Sequence, residues 1–167
     1  FYQSLTFKIG QTVETSNETY LGLTEEDFEK DPYRRYSASQ VDQMNTEQTQ
    51  YSLSHLIQFS DKIKLNTTAY RTNFSRNWYK IDKVKDSLGN STGIADLVEN
   101  PNDYNDAFDI LGGQSSTIDD AIAVKANNRD YYSQGVQTVL GLDFQQGSLL
   151  HSIDLGLRIH KDQIDRF

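Results

Sequence analysis

The feature that most constrains this chain is an alternation of apolar and polar residues with a period of two, which puts successive side chains on opposite faces of a β-strand. It recurs in five runs. Leu5, Phe7, Ile9 and Val13 share a face with Gln11, against Ser4, Thr6, Lys8, Gly10 and Thr12. Thr49, Tyr51, Leu53, His55, Ile57 and Phe59 alternate with Gln48, Gln50, Ser52, Ser54, Leu56 and Gln58. A weaker run sets Ile63, Leu65, Thr67, Ala69 and Arg71 against Lys64, Asn66, Thr68, Tyr70 and Thr72. Tyr132, Val136, Thr138, Leu140, Leu142 and Phe144 then oppose Ser133, Gly135, Gln137, Gly141 and Asp143, with Val139 as the exception. The clearest run is the last, with Leu149, His151, Ile153, Leu155, Leu157 and Ile159 against Ser152, Asp154, Gly156, Arg158 and His160. These runs predict strands near 3–13, 48–59, 63–76, 131–144 and 148–160, paired in order as an antiparallel meander.

The connections between the runs have two sharply different lengths. Ser60-Asp61-Lys62 and Gln145-Gln146-Gly147 are short polar turns, the second read as a three-residue hairpin with a left-handed Gly. The segments 14–47 and 77–130 are long and rich in Asn, Asp, Ser, Thr and Gly. A soluble meander has no reason to gather its short turns at one end, whereas a transmembrane barrel does. At about 3.3 Å per residue and a tilt near ~45°, strands of about 11–13 residues rise roughly 25–30 Å, the height of an outer-membrane apolar band. Phe59 and Phe144 stand just before the short turns and Tyr51 and Tyr132 near the long connections, as two interfacial girdles require. The expected class is all-β: an antiparallel up-and-down transmembrane β-barrel segment with long extracellular loops containing short helices. Leu5, Phe7, Leu53, Ile57, Leu140, Leu142, Ile153, Leu155 and Leu157 form its lipid face, and Gly156 faces the lumen.

Composition narrows the function. With 24 acidic against 16 basic residues and a net charge of −8, the chain lacks the Lys/Arg surplus that a phosphate backbone demands, so nucleic acid is not an expected partner. The absence of cysteine excludes disulfides, thiolate metal sites and a cysteine nucleophile. No apolar run approaches the ~18 residues of a membrane helix. The chain opens at Phe1-Tyr2 within a strand pattern and without a signal sequence, which suggests part of a longer protein.

Within the long connections, Thr24-Glu25-Glu26-Asp27 predicts a helix over about 25–30 that closes before Pro32. Asn102 is expected to cap a turn or two carrying Tyr104, Phe108 and Leu111, stopped by Gly112-Gly113. His55, His151 and His160 belong to no catalytic motif, and no enzymatic function is expected. His55 and His151 read as neutral interfacial residues. Asp103, Asn105, Asp106 and Asp109 lack the Gly and the ligand spacing of a calcium loop, because Ala107 and Phe108 interrupt them. The sequons at Asn17, Asn66, Asn73 and Asn90 read as accidental. Arginine is more informative: Asp31-Pro32-Tyr33-Arg34-Arg35-Tyr36 sets two guanidinium forks between tyrosines, suited to bidentate capture of carboxylate or phosphate. The alternative is that they pair with Glu25, Glu26, Asp27 or Glu29 and hold the loop together. Arg71 and Arg76, at the top of a strand, are placed to reach lipopolysaccharide phosphates.

The runs Glu14-Thr-Ser-Asn-Glu-Thr-Tyr-Leu-Gly-Leu-Thr24, Asp31-Pro-Tyr-Arg-Arg-Tyr36, Thr67-Thr-Ala-Tyr-Arg71 and Trp78-Tyr-Lys80 resemble the barrel region of TonB-dependent outer-membrane receptors, most closely the ferric citrate receptor branch. The resemblance implies that residues 1–167 are a partial receptor barrel domain, about five strands of an expected ~22, with the plug and remaining strands elsewhere. It implies location in the outer membrane of a Gram-negative bacterium and import of a ferric chelate, ferric citrate or a siderophore, as transported ligand with no resident cofactor or metal. It also implies the receptor's own plug domain, the TonB energy-transducing system, and outer-membrane lipid and lipopolysaccharide as partners. Arg34, Arg35, Tyr33, Tyr36 and Arg76 are the expected ligand-binding residues. The last alternate positions, Lys161, Gln163 and Asp165, are polar, so Phe167 does not close a barrel's final strand. A passive porin segment and a soluble β-sandwich binding module are the competing readings. Loop size and resemblance weigh against the porin, and the asymmetry of connection lengths against the sandwich.

Overall fold

A computed structural model describes residues 1–115 and 119–167, so the connection expected over 77–130 includes three residues, 116–118, outside the described part. In chain order come β1 (Tyr2–Ser16), α1 (Glu25–Lys30), β2 (Gln43–Ser60), β3 (Ile63–Lys85), β4 (Ser91–Gly93), α2 (Ile94–Glu99), α3 (Asn105–Gly112), β5 (Ile122–Gln146) and β6 (Leu149–Arg166). The strands form one open antiparallel sheet in the order β1-β2-β3-β5-β6, with β4 attached to β3. The five expected strands therefore pair in sequence. β4 is an addition, three residues long and in register with Lys83, Val84 and Lys85.

The strands outrun the alternating pattern at the ends away from the short turns. β2 begins at Gln43, β3 continues to Lys85 rather than stopping at 76, β5 starts at Ile122, and β6 reaches Arg166. These extensions give no sustained period-two signal: that of β2 carries polar residues such as Asn45, and that of β3 has its core residues Ile81 and Val84 three apart. A ladder needs only backbone donors and acceptors, so pairing continues where side-chain patterning stops. The turns are tighter than expected. Gln146 pairs with Leu149, leaving Gly147-Ser148 as a two-residue hairpin turn with Gly147 at φ +63° in its first position, where the mirror-image turns place glycine. Asp61-Lys62 likewise separates β2 from β3, and Ser60 Oγ accepts the Lys62 N–H at 3.2 Å.

The chain divides into two compact units. The first contains residues 1–13, 46–75 and 129–167 and is sheet alone. Cross-strand contacts fix which residues share its faces. On one face Phe1 meets Phe59, Gln11 donates to Glu47 at 3.1 Å, Thr67 bonds Thr138 at 2.9 Å, and Leu140 and Leu142 stand opposite Leu155 and Ile153. This is the apolar face, and it lies open: Leu5 is 68% exposed, Leu157 66% and Ile159 72%. On the other face Ser54 bonds Thr68 at 2.9 Å, and Gly135 and Gly141 stand opposite His160 and Asp154.

The second unit, residues 14–45 and 76–128, folds the long connections around a core of its own. That core is Tyr36, Ile81, Val84, Ile94, Leu97, Ala107, Ile110 and Leu111, all buried. Ile94 and Leu97 come from one face of α2, and Ala107, Ile110 and Leu111 from one face of α3, the spacing that an amphipathic helix needs. α1 starts as expected. Thr24 is its N-cap and accepts the Asp27 N–H, and extended Asp31 ends it. α2 was not expected, and Asn102 does not cap α3: it lies within a 3₁₀ turn, Pro101–Tyr104, and its carbonyl accepts from Asn105. Of the predicted stripe, Leu111 is buried and Phe108 packs on the core, while Tyr104 is 38% exposed. Gly113 closes α3 at φ +78°. A Cβ there would come within 2.7 Å of Ser37, so conformation and space both require glycine.

Candidate functional site

The loop arginines are committed to their own unit. Arg34 Nη1 pairs with Asp27 Oδ1 at 2.6 Å, and its guanidinium lies over the Tyr36 ring, 5.4 Å from the centroid. Tyr36 is 2% exposed; its hydroxyl donates to Asp27 Oδ2 at 2.7 Å and accepts the Thr24 N–H at 3.1 Å. Burial raises its pKa above the ordinary phenolic value. Arg35 spans three segments. Its Nη1 donates to the Asn17 carbonyl at 2.8 Å, its Nη2 to the carbonyls of Ser39 and Asp42, and its Nε to Ser39 Oγ. Asp42, 1% exposed, accepts in turn from the Ile81 N–H at 2.9 Å and the Thr19 hydroxyl at 2.8 Å. The Asp-Pro-Tyr-Arg-Arg-Tyr segment is thus a hydrogen-bonded staple in which half-buried Arg35 plays the part that a planar fork suits.

The side chains of the other expected residues, Tyr33 and Arg76, take no part in that staple. Tyr33 is 94% exposed. Arg76 lies within β3, not at its end; its guanidinium is 5.9 Å from the Trp78 ring centroid, and its Nε is buried without a hydrogen-bond partner among the described residues. Tyr20 and Trp78 meet edge to face, with Lys80 Nζ 3.4 Å from the Tyr20 centroid. Burial there lowers the lysine pKa.

A constellation that periodicity did not single out lies on the polar face of the sheet unit. Arg158 donates to the Tyr70 oxygen from Nε at 3.0 Å and from Nη2 at 2.7 Å. His160 Nδ1 lies 2.6 Å from the same oxygen, and His160 Nε2 lies 2.7 Å from Asp162 Oδ1. Donor arithmetic assigns the protons: with two donors already on its oxygen, Tyr70 gives its own proton to His160 Nδ1, and His160 donates from Nε2 to Asp162. Tyr70 comes from β3 and the other three residues from β6, so its ring must cross β5. Gly135 makes room for it. A Cβ there would stand 2.7 Å from the Tyr70 hydroxyl and 2.6 Å from the Ile159 carbonyl oxygen. Lys64 crosses β5 in the same way over Gly141, toward Asp154. The cluster holds the Arg158 guanidinium with its Nη1 edge unused among the described residues, a planar cation ready to donate to a carboxylate or phosphate. The sequence signal was the alternation Arg158, His160, Asp162. Their meeting with Tyr70 depends on register, which that signal does not contain.

Among the described residues no group of three or more His, Asp or Glu side chains is arranged to hold a metal. No family model matches the chain, and comparisons with curated proteins and with solved structures find no match.

Proposed function

We propose that this chain supplies wall strands and outer loops to a TonB-dependent outer-membrane receptor of a Gram-negative bacterium that imports a ferric chelate, ferric citrate or a siderophore. The observation that carries the reading is the apolar face: one surface across five consecutively paired strands, open along its length, backed by a polar face bearing Arg158, His160, Lys8 and Lys64. Exposed apolar area on this scale is unfavourable in water and favourable against lipid. The two-residue turns at one end of the strands and elaborated connections at the other fit the periplasmic and extracellular ends of such a barrel. In this reading a plug and further strands complete the barrel, and the chelate is cargo. Arg158, oriented by Tyr70 and His160, meets its negative charge from the lumen. The arginine pair at 34 and 35 acts by holding those loops in shape.

Uptake of radiolabelled ferric citrate and of ferric siderophores by cells carrying the intact receptor tests the proposal. Iron accumulation that stops when TonB is deleted supports it. Accumulation indifferent to TonB is the behaviour of a porin, and recovery of the protein in the soluble fraction that of a β-sandwich module.

A further inference from the structure

The apolar face ends in a pair of cations. Along the β5–β6 ladder the apolar pairs Leu140 with Leu155, Thr138 with Leu157 and Val136 with Ile159 give way to Gln134 with Lys161 and then Tyr132 with Gln163. Arg71, from neighbouring β3, reaches the same point. Its Nη1 donates to Gln134 Oε1 at 2.8 Å and its guanidinium lies 4.9 Å from the Tyr132 ring centroid. Lys161 Nζ lies 5.7 Å from that centroid. Both cations are exposed, and neither forms a salt bridge among the described residues. The nearest carboxylates on this face are Asp130 opposite Asp165, two same-face steps beyond Lys161, and Glu47 of β2 beside them; Asp165 accepts from Gln163 Nε2 and Glu47 from Gln11 Nε2.

We infer that Arg71, Lys161 and Tyr132 form a binding site for the phosphate of an outer-leaflet lipid headgroup. The inference rests on the reading of the apolar face as lipid-facing. Two like charges around one ring leave a concentrated positive potential, in a chain whose net charge is −8. A phosphate neutralises it, and Arg71 Nη2, without an acceptor among the described residues, and the Lys161 ammonium supply the donors. The position selects a lipid over a free anion: the cations stand one side-chain step above Ile159, so acyl chains packed on Leu155, Leu157 and Ile159 bring the headgroup to their level.

The test uses the intact protein and its Arg71→Gln, Lys161→Gln double variant in phosphatidylcholine vesicles with and without lipid A. Lipid A kept through detergent extraction and repurification is measured by mass spectrometry, and vesicle flotation reports insertion. The wild type is expected to retain about tenfold or more lipid A than the double variant. Arg71→Lys should retain most of it, and excess inorganic phosphate should not displace it. Equal retention by wild type and double variant, with both floating, overturns the site and leaves the membrane reading intact. Displacement by inorganic phosphate alone makes it a free-anion site and also overturns the inference. Failure of both proteins to float contradicts the membrane reading itself, and the site with it.

Discussion

At the scale of single residues, close approach and buried hydrogen bonds decide what can be exchanged. Gly135 is the narrowest point. Gly135→Ala puts a methyl group against the Ile159 carbonyl and the Tyr70 hydroxyl and should destabilise the sheet unit by about 1–3 kcal/mol, read by urea unfolding. A neutral or stabilising result would contradict the crossing of Tyr70 over β5. Arg35 and Arg34 should part company. Arg35→Ala removes a fork that holds Asn17, Ser39 and Asp42, whereas Arg34→Ala removes a single ion pair, to Asp27, whose other oxygen still accepts from Tyr36. Limited proteolysis should cut the loops of the Arg35 variant much faster than those of the Arg34 variant; equal rates would dispute the staple. Tyr36 makes the staple sensitive to alkali. Burial raises its pKa above the ordinary 10.0, so its stabilising contribution is complete below that pH and is lost as pH rises through the folded-state value. Tyrosinate absorbance should show a late-titrating step that Tyr36→Phe removes, and an unchanged titration curve would place Tyr36 in solvent.

At the scale of elements, the strands and their order were legible because period-two alternation reports burial or exposure of a face, and α1 because Thr24, three acidic residues and Pro32 write out both its ends. The extensions of β2, β3 and β5 were not: the start of β2 is a polar ladder, and the core residues Ile81 and Val84 of β3 are three apart, which breaks a period of two. α2 escaped because its six residues complete fewer than two turns, and its buried pair, Ile94 and Leu97, is too short a stripe to stand out. Register was the largest gap. Arg158, Tyr70 and Gly135 are each plain in the sequence, yet only the pairing of β5 with β6 sets Gly135 opposite His160 and opens the path for Tyr70. The tyrosine-arginine run was legible as a motif but ambiguous in role, because a guanidinium suited to a ligand carboxylate is equally suited to Asp27 or to backbone carbonyls. Thr24→Ala should cost about 1 kcal/mol of local stability by removing the cap of α1. Faster hydrogen exchange at the Asp27 amide checks it, and unchanged exchange would deny the cap.

At the scale of the whole molecule, the account turns on what covers the apolar face. If lipid covers it, as proposed, Leu155→Arg should cost about 2–4 kcal/mol, while Arg at Gly156, on the polar face, should leave insertion intact. Both edges of the sheet, β1 and β6, present backbone groups that need partners in lipid, so the chain on its own should aggregate in plain buffer. A monodisperse, cooperatively melting monomer would favour a soluble module. The most direct measurement exploits the absence of native cysteine. Single cysteines placed in turn from Ile153 to Gln163 in the intact protein, each carrying a fluorophore, are quenched by a lipid-phase or an aqueous quencher. The account predicts strict alternation, with 153, 155, 157 and 159 quenched from lipid, 154, 156, 158 and 160 from water, and 161 and 163 released from lipid at the end of the band. Aqueous quenching at all positions, or alternation in the opposite phase, would contradict a membrane wall.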